Sequence, residues 1–139
     1  MRNAMAYIGI LIVLIILGAS YVRLAPSNPE KWHRDVQINH DSVSENSVRR
    51  MVITGKDGLS KFADIATKTP RTSVLAGSVE EGMITFVTRS ALVGYPDYTT
   101  AFQDGDMLKV YGRSRFGRKD FNVNAERVDG WIDTLQGRG

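Results

Sequence analysis

Seven polar residues carry whatever chemistry this chain offers: Arg89, Asp97, Arg113, Arg115, Asp120, Asn124 and Arg127. Forked arginine donors match carboxylate or phosphate oxygens, so one reading is an anion or polar-headgroup site. The other is a salt-bridged, capped hinge that joins a last strand to a last helix. The hinge is preferred, because structural ion-pair networks often imitate binding sites. In the run Met107 to Phe116, alternation puts Leu108, Val110, Gly112, Ser114 and Phe116 on one strand face. Met107, Lys109, Tyr111, Arg113 and Arg115 fall on the other. Two guanidinium groups on one face repel and want an acceptor, and Asp120 is the nearest carboxylate in sequence. Asn122 or Asn124 then caps the following helix, with Glu126 in its first turn. This hinge predicts that Arg115→Ala destabilises more than Arg138→Ala, because Asp120 loses its partner.

Other chemistries lack parts. Gly112 to Asp120 (GRSRFGRKD) nearly spells a phosphate loop, but Arg118, Lys119 and Asp120 stand where Lys and a hydroxyl are needed. His33 and His40 are the only histidines, seven apart and outside the expected core, so no metal site is expected. There is no G-x-S-x-G elbow for a serine nucleophile. With no cysteine, thiolate sites and disulfides are excluded. The net charge of +3 is a mild excess, and Asp120, Glu126 and Asp129 dilute the basic cluster, so no nucleic acid partner is expected. Nor is any cofactor.

The elements that must position the seven residues begin at Arg49. Arg49 to Thr54 reads as a strand, and Asp57 to Thr67 as a helix capped by Asp57. Strands follow at Thr72 to Ala76, Gly82 to Leu92, Tyr98 to Gln103 and Met107 to Phe116, with Asp104-Gly105 as a hairpin turn. Ala125 to Leu135 closes the chain as a helix whose stripe is Val128, Trp131, Ile132 and Leu135. The order β-α-β-β-β-β-α predicts an α+β domain: an antiparallel sheet with both helices on one face. That order resembles the TATA-box-binding-protein-like, or helix-grip, arrangement. Tyr95, Tyr98 and Tyr111 then either line a groove between sheet and helix or pack the core and edge.

At 139 residues the chain holds one compact domain plus appendages. Ala4 to Val22 carries no charge, and its nineteen residues extend about 28 Å as a helix, enough for a hydrocarbon core. Residues 1–23 are a retained anchor or a signal peptide with Arg2 before it and Gly18-Ala19-Ser20 as a small-residue site. The anchor is preferred on length, with membrane lipid as its partner along residues 4–22. Residues 24–48 are a linker and polar loop, and the run Arg23 to Pro29, which leads into them, serves as an extended spacer. Trp32 belongs to the interfacial belt or the core edge. Residues 49–139 are the α+β domain.

A family resemblance follows from these residues. Thr69-Pro-Arg-Thr, Thr88-Arg-Ser-Ala-Leu, Pro96-Asp-Tyr and the set Ser114, Arg115, Gly117, Asp120, Asn124 and Arg127 resemble the domain of unknown function 1499 family. They follow its pattern S-R-x-G-x-x-D-x-G-x-N-x-x-R, with Asn122 in place of the second glycine. The likeness spans roughly residues 28–136. It implies an envelope-associated domain, bacterial or plastid, and supplies no reaction.

Together these features lead to a single-pass protein of the bacterial inner membrane with its soluble domain in the periplasm. The expected role is a non-catalytic accessory module that touches other membrane-protein subunits. The alternative is a binder of a small amphiphile or lipid headgroup in a sheet-helix groove.

Overall fold

The computed structural model describes residues 1–138, without the side chain of Arg2. Arg2 as a flanking charge, and Gly139 at the end of the expected domain, lie outside this description. The chain opens with α1 (Arg2–Leu24), whose window Asn3–Leu24 is long and apolar enough to cross a membrane, with mean hydropathy 2.4. Pro26 ends it, since a proline pushes the residue before it out of helical geometry. Ala25 accordingly sits at ψ 122° while its amide still donates to the Tyr21 carbonyl at 2.7 Å.

One antiparallel sheet follows, with β1 (Ser42–Val43), β2 (Ser47–Ile53), β3 (Thr72–Ser78), β4 (Met83–Arg89), β5 (Pro96–Asp104) and β6 (Met107–Ser114). Its order is β1-β2-β6-β5-β4-β3. The last four strands form the expected meander, and β2 returns to pair with β6, with Val48 opposite Gly112. The helix α3 (Gly58–Lys68) therefore runs from one edge of the sheet to the other, and α4 (Val123–Leu135) packs beside it. Strand β4 stops at Arg89, not Leu92. Ser-Ala-Leu-Val looks like strand by residue type, but Ser90 to Tyr95 closes into a loop.

The face of β6 that carries Leu108, Val110 and Gly112 is the one under the helices. Phe62, Phe86 and Trp131 fill the space between, with Phe62 and Trp131 edge-on at 5.6 Å. The Trp131 indole donates to Thr69 Oγ1 at 2.8 Å, which satisfies the one polar atom this ring would otherwise bury. The sheet-helix space around these rings is thus packed with side chains. Asp57 does not cap α3 with its side chain; its carboxylate pairs with Lys61 at 2.7 Å. The Leu59 amide is instead taken by Gln103 Oε1 at 2.9 Å, from across the sheet.

The spacer expected at Arg23 to Pro29 does not lift the domain away. Residues 25–41 run as a strap over the face of the sheet opposite the helices. Ala25 and Ile38 are buried in it, and Asp41 Oδ1 accepts from the Met51 amide at 2.8 Å. Within the strap, Asn28-Pro29-Glu30 starts the single turn α2 (Pro29–Trp32), with Asn28 Oδ1 taking the Glu30 amide at 2.9 Å. Proline at the first helical position suits such a start, because its missing N–H would have no partner there anyway. Trp32 comes to rest on Tyr98 with ring centroids 4.1 Å apart, which places it at the core edge. His33 also lies on the sheet and not outside the fold: its Nδ1 is 2.9 Å from Thr85 Oγ1. Gly77, at φ 88°, leaves the room it needs, for a β-carbon there would stand 2.6 Å from His33 Cε1.

Candidate functional site

The seven residues do not form one cluster. They divide between the two faces of the sheet, and Arg89 stands apart from both.

Arg113 and Arg115 lie on the strap side. Arg113 is 8% exposed and donates to Thr100 Oγ1 at 2.8 Å, to the Tyr111 carbonyl at 3.2 Å, and to the Trp32 carbonyl. Its guanidinium also lies 4.7 Å from the Tyr111 ring centroid and 5.6 Å from that of Trp32. Burial pushes its pKa down to about 10, and neighbouring Arg49 presses the same way; the tyrosines on either side oppose them. The group stays cationic at neutral pH. Arg115 donates to the Pro26 carbonyl at 2.9 Å and to the Tyr98 hydroxyl at 3.3 Å. Ser27 Oγ completes this contact, 2.7 Å from the same hydroxyl.

Neither arginine meets Asp120, so the expected neutralised pair is not how the hinge is built. The two cations are separated and solvated by backbone carbonyls of the strap. Carbonyl oxygens of this kind accept forked donors well, and they cost no second buried charge. Arg115 keeps a structural role through Pro26 and Tyr98, but the loss of a partner by Asp120 is not the reason.

Asp97, Asp120, Asn124 and Arg127 lie on the helix side and do come together. The Asp120 carboxylate caps α4 in place of Asn122 or Asn124. Its Oδ1 takes the Asn122 amide at 2.9 Å, and its Oδ2 takes the Asn124 amide at 3.1 Å and the Asn124 side-chain Nδ2 at 2.8 Å. A negative charge at this end of the helix also interacts favourably with the positive end of the macrodipole. Asn122 itself adopts the left-handed φ of 65°, where asparagine is tolerated, so the turn survives without the family's glycine. Asn124 is fully buried and acts as the junction: Nδ2 also donates to Ser114 Oγ at 2.9 Å, and Oδ1 accepts from Arg127 at 3.1 Å. Arg127 reaches on to Asp97 Oδ2 with both terminal nitrogens at 3.2 Å.

Burial raises the pKa of Asp97, while the Arg127 guanidinium and the Ser114 hydroxyl hold it back. The folded state therefore keeps a proton on Asp97 to a higher pH than the unfolded chain does. Stability from this group is fully present at low pH and is lost as pH rises through the folded pKa. An Asp97→Asn variant lacks that loss. Its unfolding free energy relative to the parent is expected to improve as pH rises from about 4 to about 7. Urea titrations at several pH values check this; a constant difference would contradict it.

Arg89 donates to the Gly94 carbonyl at 3.0 Å and closes the loop from Ser90 to Tyr95. Between this loop, the end of β6 and the start of α4 lies a cleft of about 350 Å³, lined by Tyr95, Asp97, Ser114, Phe116, Lys119 and Asp120, among others. Phe116 stands 6.3 Å from Tyr95 and 6.5 Å, edge-on, from Tyr21 in the last turns of α1. The cleft therefore opens beside the apolar helix.

Sequence reasoning missed Ser114 as a member of the helix-side network, and it missed Trp32 and Ser27 as the strap's contacts. Ser114 is in the S-R-x-G motif, which was the available signal. The strap had a weaker one in Asn28-Pro29-Glu30, a helix-start pattern inside a supposed spacer.

Residues 22–135 match the family model described as "Protein of unknown function (DUF1499)". No curated protein matches the chain. The matched span takes in the strap, the whole sheet and both packed helices, and the motif of the resemblance is the one that builds the cap and junction around Asp120 and Asn124. The chain belongs to the DUF1499 family.

Proposed function

We propose that the chain works as a membrane-tethered, non-catalytic interaction module of the bacterial cell envelope, with the domain on the periplasmic side of the inner membrane. The observation that carries this reading is the strap. Arg113 and Arg115 bind the Trp32 and Pro26 carbonyls, so the domain follows α1 after only a few residues and does not swing on a long linker. A fixed seat at the end of a membrane helix presents one edge of the domain to neighbouring membrane proteins. The polar residues at the heart of the family motif serve capping and packing: Asp120 and Asn124 are occupied by amides, a hydroxyl and a guanidinium. The helix-grip likeness belongs to this proposal only as architecture.

Native mass spectrometry of the full chain released from native-membrane nanodiscs tests the role. The expected result is a defined assembly heavier than one 15.4 kDa chain. Release of monomer alone, at every detergent and salt condition, would overturn it. Orientation is read separately. The chain has no cysteine, so a single Lys56→Cys variant is expected to react with an impermeant maleimide from the periplasmic side.

A further inference from the structure

Leu92 is 90% exposed in a loop that has no obvious reason to be apolar. Ser90-Ala-Leu-Val-Gly-Tyr95 contains no charge. It stands beside α1: Leu92 and Val93 share a shallow cleft of about 290 Å³ with Ile16, Ala19, Ser20 and Arg23. Gly94, at φ 82°, permits the approach, for a β-carbon there would meet Arg23 Cγ at 3.1 Å. Ile16 lies seven residues before Arg23, roughly 10 Å further along the helix axis. If α1 is seated with its uncharged run in the hydrocarbon and Arg23 at the headgroups, the tip of this loop lies below the headgroup level.

We infer that the loop Ser90 to Tyr95 is a second membrane contact, which inserts Leu92 and Val93 into the lipid at the boundary between headgroups and acyl chains. This rests on the reading of α1 as a retained anchor. Backbone entering that layer must satisfy much of its own polarity, and the base of this loop is closed on itself. The Ser90 amide donates to the Tyr95 carbonyl at 3.0 Å. Ser90 Oγ takes the Gly94 and Tyr95 amides at 3.1 and 2.9 Å, and Arg89 takes the Gly94 carbonyl at 3.0 Å. Phe116, between Tyr21 and Tyr95, then forms with them an aromatic collar at interfacial depth, where such rings are favoured. Arg23 lays its stem on Gly94 and can extend its charge toward lipid phosphates. Arg89 thus gains a role: it closes the inserting loop.

Single-cysteine variants of the full chain test this in nanodiscs of phosphatidylethanolamine and phosphatidylglycerol. Leu92→Cys, Ile12→Cys and Asp106→Cys are each labelled with an environment-sensitive fluorophore, and quenching is read with lipids carrying nitroxides at shallow or deep acyl positions. The expected result is strong shallow quenching and blue-shifted emission at position 92, deep quenching at 12, and none at 106. Quenching at 12 with water-like emission at 92 would overturn the inference while leaving the anchor intact. Absence of quenching at 12 would remove the anchor and the inference with it. Leu92 is almost fully exposed, so its replacement does not put folding at stake.

Discussion

Replacing Arg113 with alanine is expected to cost about 3 kcal/mol of stability and to release residues 25–38 from the sheet. The side chain is buried and holds three acceptors, among them the buried Thr100 hydroxyl and the Trp32 carbonyl. Hydrogen bonds from a charged donor contribute more than neutral ones, and removing the donor leaves the Trp32 carbonyl only the long 3.4 Å bond from Thr100 Oγ1, which also keeps its contact with Thr85. The loss is compounded because the Trp32–Tyr98 stack and the Ser27–Tyr98 contact depend on the strap staying in place. Arg113→Lys keeps the charge but not the fork, so it is expected to recover only part of the loss. Arg138→Ala is the comparator: its Asp133 pair is largely exposed, and its removal is expected to change stability by less than about 0.5 kcal/mol. Urea midpoints measure all three. Limited trypsin treatment reads the strap directly, through faster cleavage after Lys31 and Arg34 in the alanine variant. An Arg113→Ala protein as stable as Arg138→Ala would mean that the strap is not held this way.

Asn124→Ala is the second large effect, expected at about 2 to 3 kcal/mol. Asn124 has no exposed surface, and its side chain serves three partners at once. Alanine leaves the Ser114 hydroxyl and one Arg127 nitrogen without it and opens a small void beneath α4. The Asp120 carboxylate still has the two backbone amides, so the cap is weakened and not abolished. Asn124→Asp is expected to do worse near neutral pH than in acid, since an ionised carboxylate there faces Asp120. Thermal melts of both variants at two pH values check the order. Equal loss at both pH values for Asn124→Asp would contradict the assigned orientation of the amide.

The sequence carried the helix side of this structure better than the strap side. Alternation along Met107 to Phe116 separates Leu108, Val110 and Gly112 from the arginines, and the apolar residues of that face are the buried ones. Val128, Trp131 and Ile132 announced the buried face of α4 in the same way. The partners of Arg113 and Arg115 were not legible. They are carbonyl oxygens, which every residue has, and Trp32 lies 81 residues from Arg113. Asp120 is the nearest opposite charge in sequence, but its carboxylate is committed to backbone amides, which residue types do not display. The apolar residues after Arg89 read as a continuation of β4 because Ala-Leu-Val suits a strand, whereas the strand ends at Arg89.

The central claim is that the domain is fixed to the end of its apolar helix by the strap. Pulsed electron-spin distance measurement tests it most directly, with nitroxides on Ile12→Cys and Asp106→Cys of the full chain in nanodiscs. A single narrow distance distribution is predicted, broadening severely when Arg113→Ala is added. A distribution already broad in the parent, and unaltered by that change, would show the domain swinging on a free linker and would contradict the account.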